Sequence, residues 1–395
     1  MRDEGFSHRD RCAIVGIGAT EFSKDSGRSE LSLATEASAA ALADAGLTVA
    51  DVDGLVKCDH DNVTINALAD SLGAELSYWA EVGPGGVAPC AMVGQAVGAI
   101  LSGQATTVVV YRSLNGRSGR RFGRGVPQPS RRVGGQGTYD EYFLPHGLQT
   151  PGQFFALIAR RHMIENGLTE EALAHVAVTC RERANANPAA QMHARKLTVD
   201  DCLSARMISS PLRLYDFCLE TDGACAVVVT SAARAADCRR PPALIRAVAQ
   251  AGGPRVQPGM MWPVVARESL TTMPSRVAAD RLFRRAGLGP QDVDVAQLYD
   301  CFTITLLLQL EDYGFCAPGE GGPFAMSGAL GLDGAIPVNT GGGHLSEGYI
   351  HGMNHVLEGV RQIRGESTSQ VEGAEVALVT SAPPPGTSAL LLVRS

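Results

Sequence analysis

The stretch Asn339-Thr340-Gly341-Gly342-Gly343-His344-Leu345-Ser346-Glu347-Gly348-Tyr349-Ile350-His351-Gly352-Met353-Asn354-His355 decides how the rest of the chain is read. Three consecutive glycines cannot sit inside a stable helix or strand. They let a backbone come very close to something, usually a ligand. A short apolar run, Ala335 to Val338, precedes them, and His344, Ser346, Glu347, Tyr349, His351 and His355 follow. That is a dense set of proton donors and acceptors beside a backbone built for contact. The plain alternative is a Gly-rich turn ahead of a surface helix. A third reading takes Glu347, His351 and His355, spaced four apart, as one helix face that binds a metal together with His344.

Composition narrows the field. The chain has 395 residues, 45% hydrophobic and 19% charged, as in an ordinary globular protein with a large core. A net charge of −7 leaves no basic footprint for nucleic acid. No apolar run approaches the ~18 residues of a membrane span. The polar start, Met1 to Cys12, lacks the apolar segment of a signal peptide. The ten cysteines form no C-x-x-C pairs, which fits reduced thiols in the cytoplasm.

Along the chain, Cys12 to Gly18 reads as a short apolar strand. Ser29 caps a helix running to Ala45 and stopped by Gly46, with Leu31, Ala34, Ala41, Leu42 and Ala45 on its apolar face and Ser38 the one polar member. Gly83-Pro84-Gly85-Gly86 precedes a helix from Ala88 to Leu101, and Thr107 to Tyr111 is a strand buried on both faces. Two helices, Gln153–Glu165 and Glu170–Ala184, lead to a strand at Ala224–Thr230. Between Ser113 and Thr150, Arg117, Arg120, Arg121, Arg124, Arg131 and Arg132 interleave with Gly, Ser and Pro. This is either a solvated loop or a basic rim for the phosphates of an acidic ligand. Near Pro242 a second half begins. Ala45-Gly46-Leu47 with Asp51-Val52-Asp53 returns as Ala286-Gly287-Leu288 with Asp292-Val293-Asp294, an offset of 241 (286 − 45 and 292 − 51). The same offset sets Cys58-Asp59 opposite Tyr299-Asp300, and the Gly83–Gly86 turn finds its counterpart in Gly341–Gly343. Repeated strand–helix units imply α/β layers around buried sheets.

These motifs resemble, in order, those of the thiolase superfamily of the sterol carrier protein-x or lipid-transfer type. Pro211-Leu212 with Thr221-Asp222-Gly223-Ala224 resembles its P-L…S-D-G-A segment. Asn166-Gly167-Leu168-Thr169 and Asn187-Pro188-Ala189-Ala190-Gln191 resemble its loop-domain signals. Leu298-Tyr299-Asp300-Cys301-Phe302 resembles L-H-D-C-F, and Gly342-Gly343 to Gly348-Tyr349 resembles G-G-x-x-x-x-G-H. The resemblance implies a duplicated thiolase fold of two βαβαβ-type halves, layered α/β/α/β/α. The N-terminal half would be residues 1–113 plus 221–241, the inserted loop domain 114–220 and the C-terminal half 242–395. It also implies a homodimer, paired through first-half strands such as Thr107–Tyr111.

The departures from that pattern carry the functional expectation. The nucleophile position falls near Val87 or Ala88, with Cys90 about one turn too far along. The final hairpin, Ser381 to Gly386, has no thiol, and both motif histidines are tyrosines. Acyl-cysteine chemistry is therefore not expected. The pattern resembles the actinobacterial steroid side-chain aldolases, which cleave a β-hydroxyacyl-CoA and work with an OB-fold/zinc-ribbon partner. The resemblance implies a retro-aldolase with Tyr299, Tyr349 and His344 as catalytic residues. Asp300, Gly342, Gly343, Ser346, Glu347 and His351 would contact substrate. Neither a metal nor a cofactor is expected in this chain, and zinc only in the partner of a heterotetramer. The alternatives are an acyl-CoA-binding scaffold without chemistry, and a thiolase using Cys90.

Overall fold

β1 (Cys12–Ala19) and α1 (Glu30–Ala45) form the first layer contact of the chain. Ser29 caps α1 by accepting the Ser32 N–H, and Gly46 closes it at φ 74°, a left-handed turn that a Cβ would oppose. The buried face is Leu33, Ala34, Ala37, Ser38, Ala41, Leu42 and Ala45. Leu31, expected in that stripe, is only half-buried, and Leu33 takes the inward position. The stripe lies directly on β1. A Cβ at Gly16 would stand 2.1 Å from the Ala41 carbonyl oxygen, and one at Gly18 2.2 Å from that of Ala37. Glycine on the strand and alanine on the helix let the two backbones touch. The structure, a computed structural model, describes residues 8–119, 121, 144–148, 150–252, 269–383 and 386–395.

The first half continues through β2 (Gly54–Cys58), α2 (Ile65–Leu72), β3 (Tyr78–Val82), α3 (Ala88–Leu101) and β4 (Thr107–Asn115). Then come α4 (Pro151–Asn166), α5 (Glu170–Ala186), α6 (Val199–Ser204) and a hairpin of β5 (Met207–Ser209) and β6 (Leu212–Arg213). The chain re-enters the sheet as β7 (Asp222–Ser231), followed by α7 (Ala232–Ala235). The second half holds β8 (Ala243–Gly252), α8 (Pro274–Ala286), β9 (Val295–Gln297), α9 (Thr303–Asp312) and α10 (Gly321–Met326). It ends with α11 (Gly343–Ser346), α12 (Met353–Arg364), β10 (Val376–Thr380) and β11 (Gly386–Arg394).

The strands lie in the order β3-β2-β4-β7-β1-β8-β11-β10-β9. β1 and β8 meet through two residue pairs, Ala13 with Leu244 and Ile14 with Ala243. On one side of this seam β1, β7 and β4 run antiparallel in turn, and β2 and β3 then follow parallel to β4. On the other side β8, β11 and β10 are antiparallel in turn and β9 is parallel to β10. A parallel bridge from Ala296 to Val338 stands where β3 stands in the first half. The repeat legible in the sequence is thus a repeat of topology. Matching 3₁₀ turns start at 49 and 290, and β2 and β9 start at 54 and 295, both 241 apart (290 − 49 and 295 − 54).

Helices complete the layers. α3 touches β2, β3, β4 and β7 of its own half and β8 and β11 of the other, while α12 touches β9, β10 and β11 but also β1 and β7. These two helices are the middle layer. α1 covers the first half-sheet from outside and α8 covers β8 and β11. The order is α/β/α/β/α, with the half-sheets joined edge to edge at the seam.

One expectation is corrected. β4 pairs with β7 on one side and β2 on the other, so Thr107–Tyr111 has no edge left for a second subunit. Among the described residues the open edge of the first half is β3, paired only with β2, and its Trp79 is 64% exposed. Among the described residues no helix is long and apolar enough to cross a membrane.

The β1–α1 contact generates a paired prediction. Ser38 is fully buried and its hydroxyl has no hydrogen-bond partner among the described residues. Ser38→Ala removes that cost and gains about 1 kcal/mol. Gly16→Ala forces a methyl into a backbone carbonyl and loses roughly 1–3 kcal/mol. Urea unfolding of the two variants checks this, and the reverse ranking would contradict the packing described.

Candidate active site

Tyr299 stands just past the C-terminal end of β9. Its N–H donates to Thr380 Oγ1 at 2.9 Å, and its carbonyl accepts from Gln309 Nε2 at 2.7 Å. β10 and α9 thereby clamp its main chain from both sides. The phenol reaches across to the first half, where a Cβ at Gly86 would stand 2.2 Å from its oxygen. Only glycine at 86 leaves that space. Tyr349 comes from the loop between α11 and α12, and its N–H donates to Thr221 Oγ1 at 2.8 Å. The two phenol oxygens are 2.8 Å apart, a full hydrogen bond. His344 backs the pair edge-on, its ring centre 4.5 Å from that of Tyr299 and 5.0 Å from that of Tyr349.

Burial sets the protonation states. It pushes both phenols well above the ordinary tyrosine range and His344 well below the ordinary histidine range. At neutral pH the centre of the site is therefore uncharged, with a proton on each phenol. One charge lies behind it. Burial works to raise the Asp300 carboxyl, but His344, His355 and main-chain N–H groups hold it below the usual carboxylate range. Asp300 accepts from the N–H of His344 at 2.9 Å, the N–H of Leu345 at 3.2 Å and Nε2 of His355 at 3.0 Å. His344 Nδ1 also lies 3.2 Å from Asp300, but without the alignment of a hydrogen bond.

The glycines and their polar neighbours face the protein itself. A Cβ at Gly341 would come 3.2 Å from Glu347, one at Gly342 2.8 Å from Ala184 of α5, and one at Gly343 2.3 Å from Asp300. Close approach is real here, but to a helix and two carboxyl groups. Ser346 Oγ accepts from Arg181 Nε of α5 at 2.9 Å. Glu347 accepts from Asn354 Nδ2 at 2.9 Å and lies 3.7 Å from Arg361. Of the expected substrate contacts, only His351 borders the phenol pair, 5.1 Å from the Tyr349 ring.

The metal-binding helix face does not form. Residues 347–352 are not helical and α12 starts at Met353, so Glu347, His351 and His355 diverge to Asn354, Arg112 and Asp300. For the same reason the helix matching α3 starts ten residues beyond Gly343. Ligand atoms of Asp300, His344 and His355 do lie within 4.8 Å of one another, as do those of Cys58, Asp59 and His60. In the first group the carboxylate is already engaged by two main-chain N–H groups and one imidazole, the pattern of a hydrogen-bonded buried charge. Cys90 is sealed under β10: its thiol faces the Val379 carbonyl at 3.4 Å and burial pushes it up to about 12. A thiolate nucleophile has no support there.

Of the six arginines of the basic stretch, Arg117 and Arg121 both pair with Glu220, and Arg120, Arg124, Arg131 and Arg132 lie outside the described residues. The motifs missed a second buried charge. Arg112 follows Tyr111 directly and pairs with Asp61 at 3.1 Å, both buried. The available signal was an arginine continuing a strand with no polar face.

Glu347 gives a pH test of this arrangement. Burial lifts its carboxyl from the ordinary 4.5 to about 8, against the pull of Arg361. Between those values the folded chain holds a proton that the unfolded chain has released, so stability falls as pH rises through that window. Glu347→Gln cannot release it. The Tm of the variant relative to wild type therefore climbs steadily from about pH 5 to about pH 8. A Tm difference independent of pH would contradict a protonated Glu347.

Comparison with known proteins places the chain in a family. The family described as Thiolase C-terminal domain-like matches residues 261–393. The 17-hydroxy-3-oxo-4-pregnene-20-carboxyl-CoA lyase of Mycobacterium tuberculosis is 45% identical over 384 residues, covering 97% of this chain and 99% of that one. The steroid side-chain-cleaving aldolase of Thermomonospora curvata is 45% identical over 382 residues, covering 96% and 97%. The solved Ltp2-ChsH2(DUF35) aldolase superposes with a TM-score of 0.93 at 43% identity, covering 98% of this chain and 99% of that one. With its layered duplicated halves and its paired phenols, the chain belongs to the thiolase superfamily and, within it, to the steroid side-chain-cleaving aldolases.

Proposed function

We propose that this protein cleaves a β-hydroxyacyl-CoA steroid side chain by retro-aldol chemistry, with Tyr349 and Tyr299 moving the proton. The carrying observation is the 2.8 Å contact between two protonated phenols. A buried phenol is a poor lone base, but two in contact form a relay. The substrate hydroxyl gives its proton to Tyr349, the less buried of the two. Tyr349 passes its own proton to Tyr299, and Tyr299 delivers one to the carbon released as an enolate. The hydroxyl carbon becomes a ketone, the Cα–Cβ bond breaks, and its electron pair enters the thioester enolate. Both phenols end as they began, so no charge is left in the buried site. His344, neutral and edge-on to both rings, keeps them in register.

The M. tuberculosis relative is named for a 17-hydroxy steroid with a CoA-linked carboxyl on carbon 20. There the hydroxyl is β to the thioester. The same cleavage here releases propionyl-CoA and a ring ketone. The reaction needs no cofactor, since every proton and electron pair comes from the substrate and the phenols. Tyr299→Phe and Tyr349→Phe each lower kcat on the order of 10²-fold with Tm unchanged. Near wild-type turnover in both would defeat the relay. A wild-type chain that binds acyl-CoA but cleaves nothing would leave a scaffold role.

The assembly is part of the proposal. We place the twofold contact of a homodimer on β3, whose open edge and exposed Trp79 suit strand pairing with a second copy. An OB-fold/zinc-ribbon subunit completes a heterotetramer; what supports a partner is that the solved Ltp2-ChsH2(DUF35) aldolase is named for two components. Residues 114–220 serve as the inserted domain, and the reduced cytoplasm suits ten free cysteines. Trp79→Asp shifts the sedimenting species from dimer toward monomer, and a variant that stays fully dimeric would rule out this edge.

A further inference from the structure

The site contains a histidine whose protonation is dictated by a neighbour that cannot accept a hydrogen bond. Arg112 Nε donates to His351 Nδ1 at 3.2 Å. A guanidinium has only donors and keeps its charge in proteins, so the facing ring nitrogen must present a lone pair. Arg112 cannot swing away: it is buried and ion-paired with Asp61 at 3.1 Å. Asp61 in turn accepts from the N–H of Ser113 at 2.6 Å and the N–H of Val63 at 2.9 Å. A neutral imidazole with its lone pair on Nδ1 carries its proton on Nε2.

Two further observations fix where the ring stands. His351 has φ 52°, a left-handed backbone conformation uncommon for any residue but glycine. Its ring lies beside that of Tyr349, 5.1 Å between centres, and its Cε1 stands 3.8 Å from where a Cβ of Gly85 would be. The next residue, Gly86, makes room for the Tyr299 phenol. The imidazole therefore lines the same space as the phenol pair.

We propose that the Asp61–Arg112 pair locks His351 as a neutral Nε2–H imidazole, which donates a hydrogen bond to the thioester oxygen as the enolate forms. Arg112 is a positioning residue and His351 the group that meets the substrate. No proton is transferred by His351; the hydrogen bond strengthens as charge moves onto oxygen. Among the described residues, the charged and titratable groups around the ring include Arg112 with Asp61 from β4 and the loop after β2, His60 with its ring centre 6.5 Å away, His344 of α11 and the Tyr349 phenol. Burial and the Arg112 cation also keep His351 well below the ordinary histidine range, which suits a permanent neutral donor. The donor's task rests on the aldol reading above, whereas the tautomer does not.

The test joins nitrogen NMR of ¹⁵N-histidine-labelled protein with kinetics. In the wild type, the His351 signals, assigned by their loss in His351→Asn, show an unprotonated Nδ1 and a protonated Nε2 throughout the range in which the fold is stable. In Arg112→Met the ring becomes a tautomer mixture that titrates. The kcat of that variant falls tenfold or more at alkaline pH and partly recovers on acidification, because imidazolium restores the Nε2 proton. His351→Ala lowers kcat on the order of 10²-fold, and His351→Asn, which tolerates positive φ and keeps an N–H donor, recovers part of it. A wild-type His351 protonated on Nδ1, or titrating like a free histidine, overturns the lock even if Arg112→Met does not fold. Full turnover by His351→Ala overturns the donor. A wild type that cleaves no β-hydroxyacyl-CoA defeats the aldol reading and the donor's task with it, while the NMR still decides the lock.

Discussion

One buried carboxylate holds the second half together. Asp300 leaves the end of β9 and accepts the first N–H groups of α11 and the imidazole of His355 on α12. Three separately folded pieces are tied at one point, and Tyr299 is its chain neighbour. A buried charge with three donors is stable; removing any partner would leave it unsatisfied in a low-dielectric interior. The first half does the same on a smaller scale. Asp59, 241 residues earlier (300 − 59), accepts the Gly85 N–H at 3.0 Å and ties the turn ahead of α3. The duplicated fold thus repeats one device, an aspartate past a strand end that anchors a glycine turn.

The phenol pair depends on both copies of that device. Tyr299 comes from the second half, and the glycine that makes room for it comes from the first. Tyr349 stands on the loop that the Asp300 anchor fixes, and the Thr221 hydroxyl, just before β7, holds its N–H. Ala382, from the last hairpin, donates its N–H to the Gly86 carbonyl at 2.8 Å and closes the ring of contacts. Both phenols come from the second half, and the first half supplies Gly86 and Thr221 around them. The scaffold positions two loops, and their tips carry phenols where the superfamily motifs hold histidines, so the same fold offers a different set of groups.

Much of this was legible in the sequence, for local physical reasons. Ser29 and Gly46 mark the ends of α1 because caps act within a turn, and Ala88–Leu101 reads as a helix from its small apolar residues. The 241-residue offset exposes the duplication, and the tyrosines at both motif histidine positions are the two whose phenols meet. What escaped depends on contacts distant in sequence. A triple glycine announces close approach but not to what; Ala184, Glu347 and Asp300 are the answer only once α5 is in place. Leu33 replaces Leu31 on the buried face because the stripe is set by where β1 lies, not by period alone. The burial of Thr107–Tyr111 gave no sign of which neighbours occupy its edges. Arg112 and His351 are 239 residues apart, and no periodicity links them.

The central claim is that carbon–carbon cleavage here proceeds without an acyl-enzyme. A single-turnover reaction with a β-hydroxyacyl-CoA steroid, quenched at intervals and analysed by intact-protein mass spectrometry alongside the products, addresses it directly. The account predicts equal amounts of short acyl-CoA and ring ketone, with the protein mass unchanged at every time point. A transient acyl adduct on a cysteine, or acyl-CoA formed without its ketone, would contradict it.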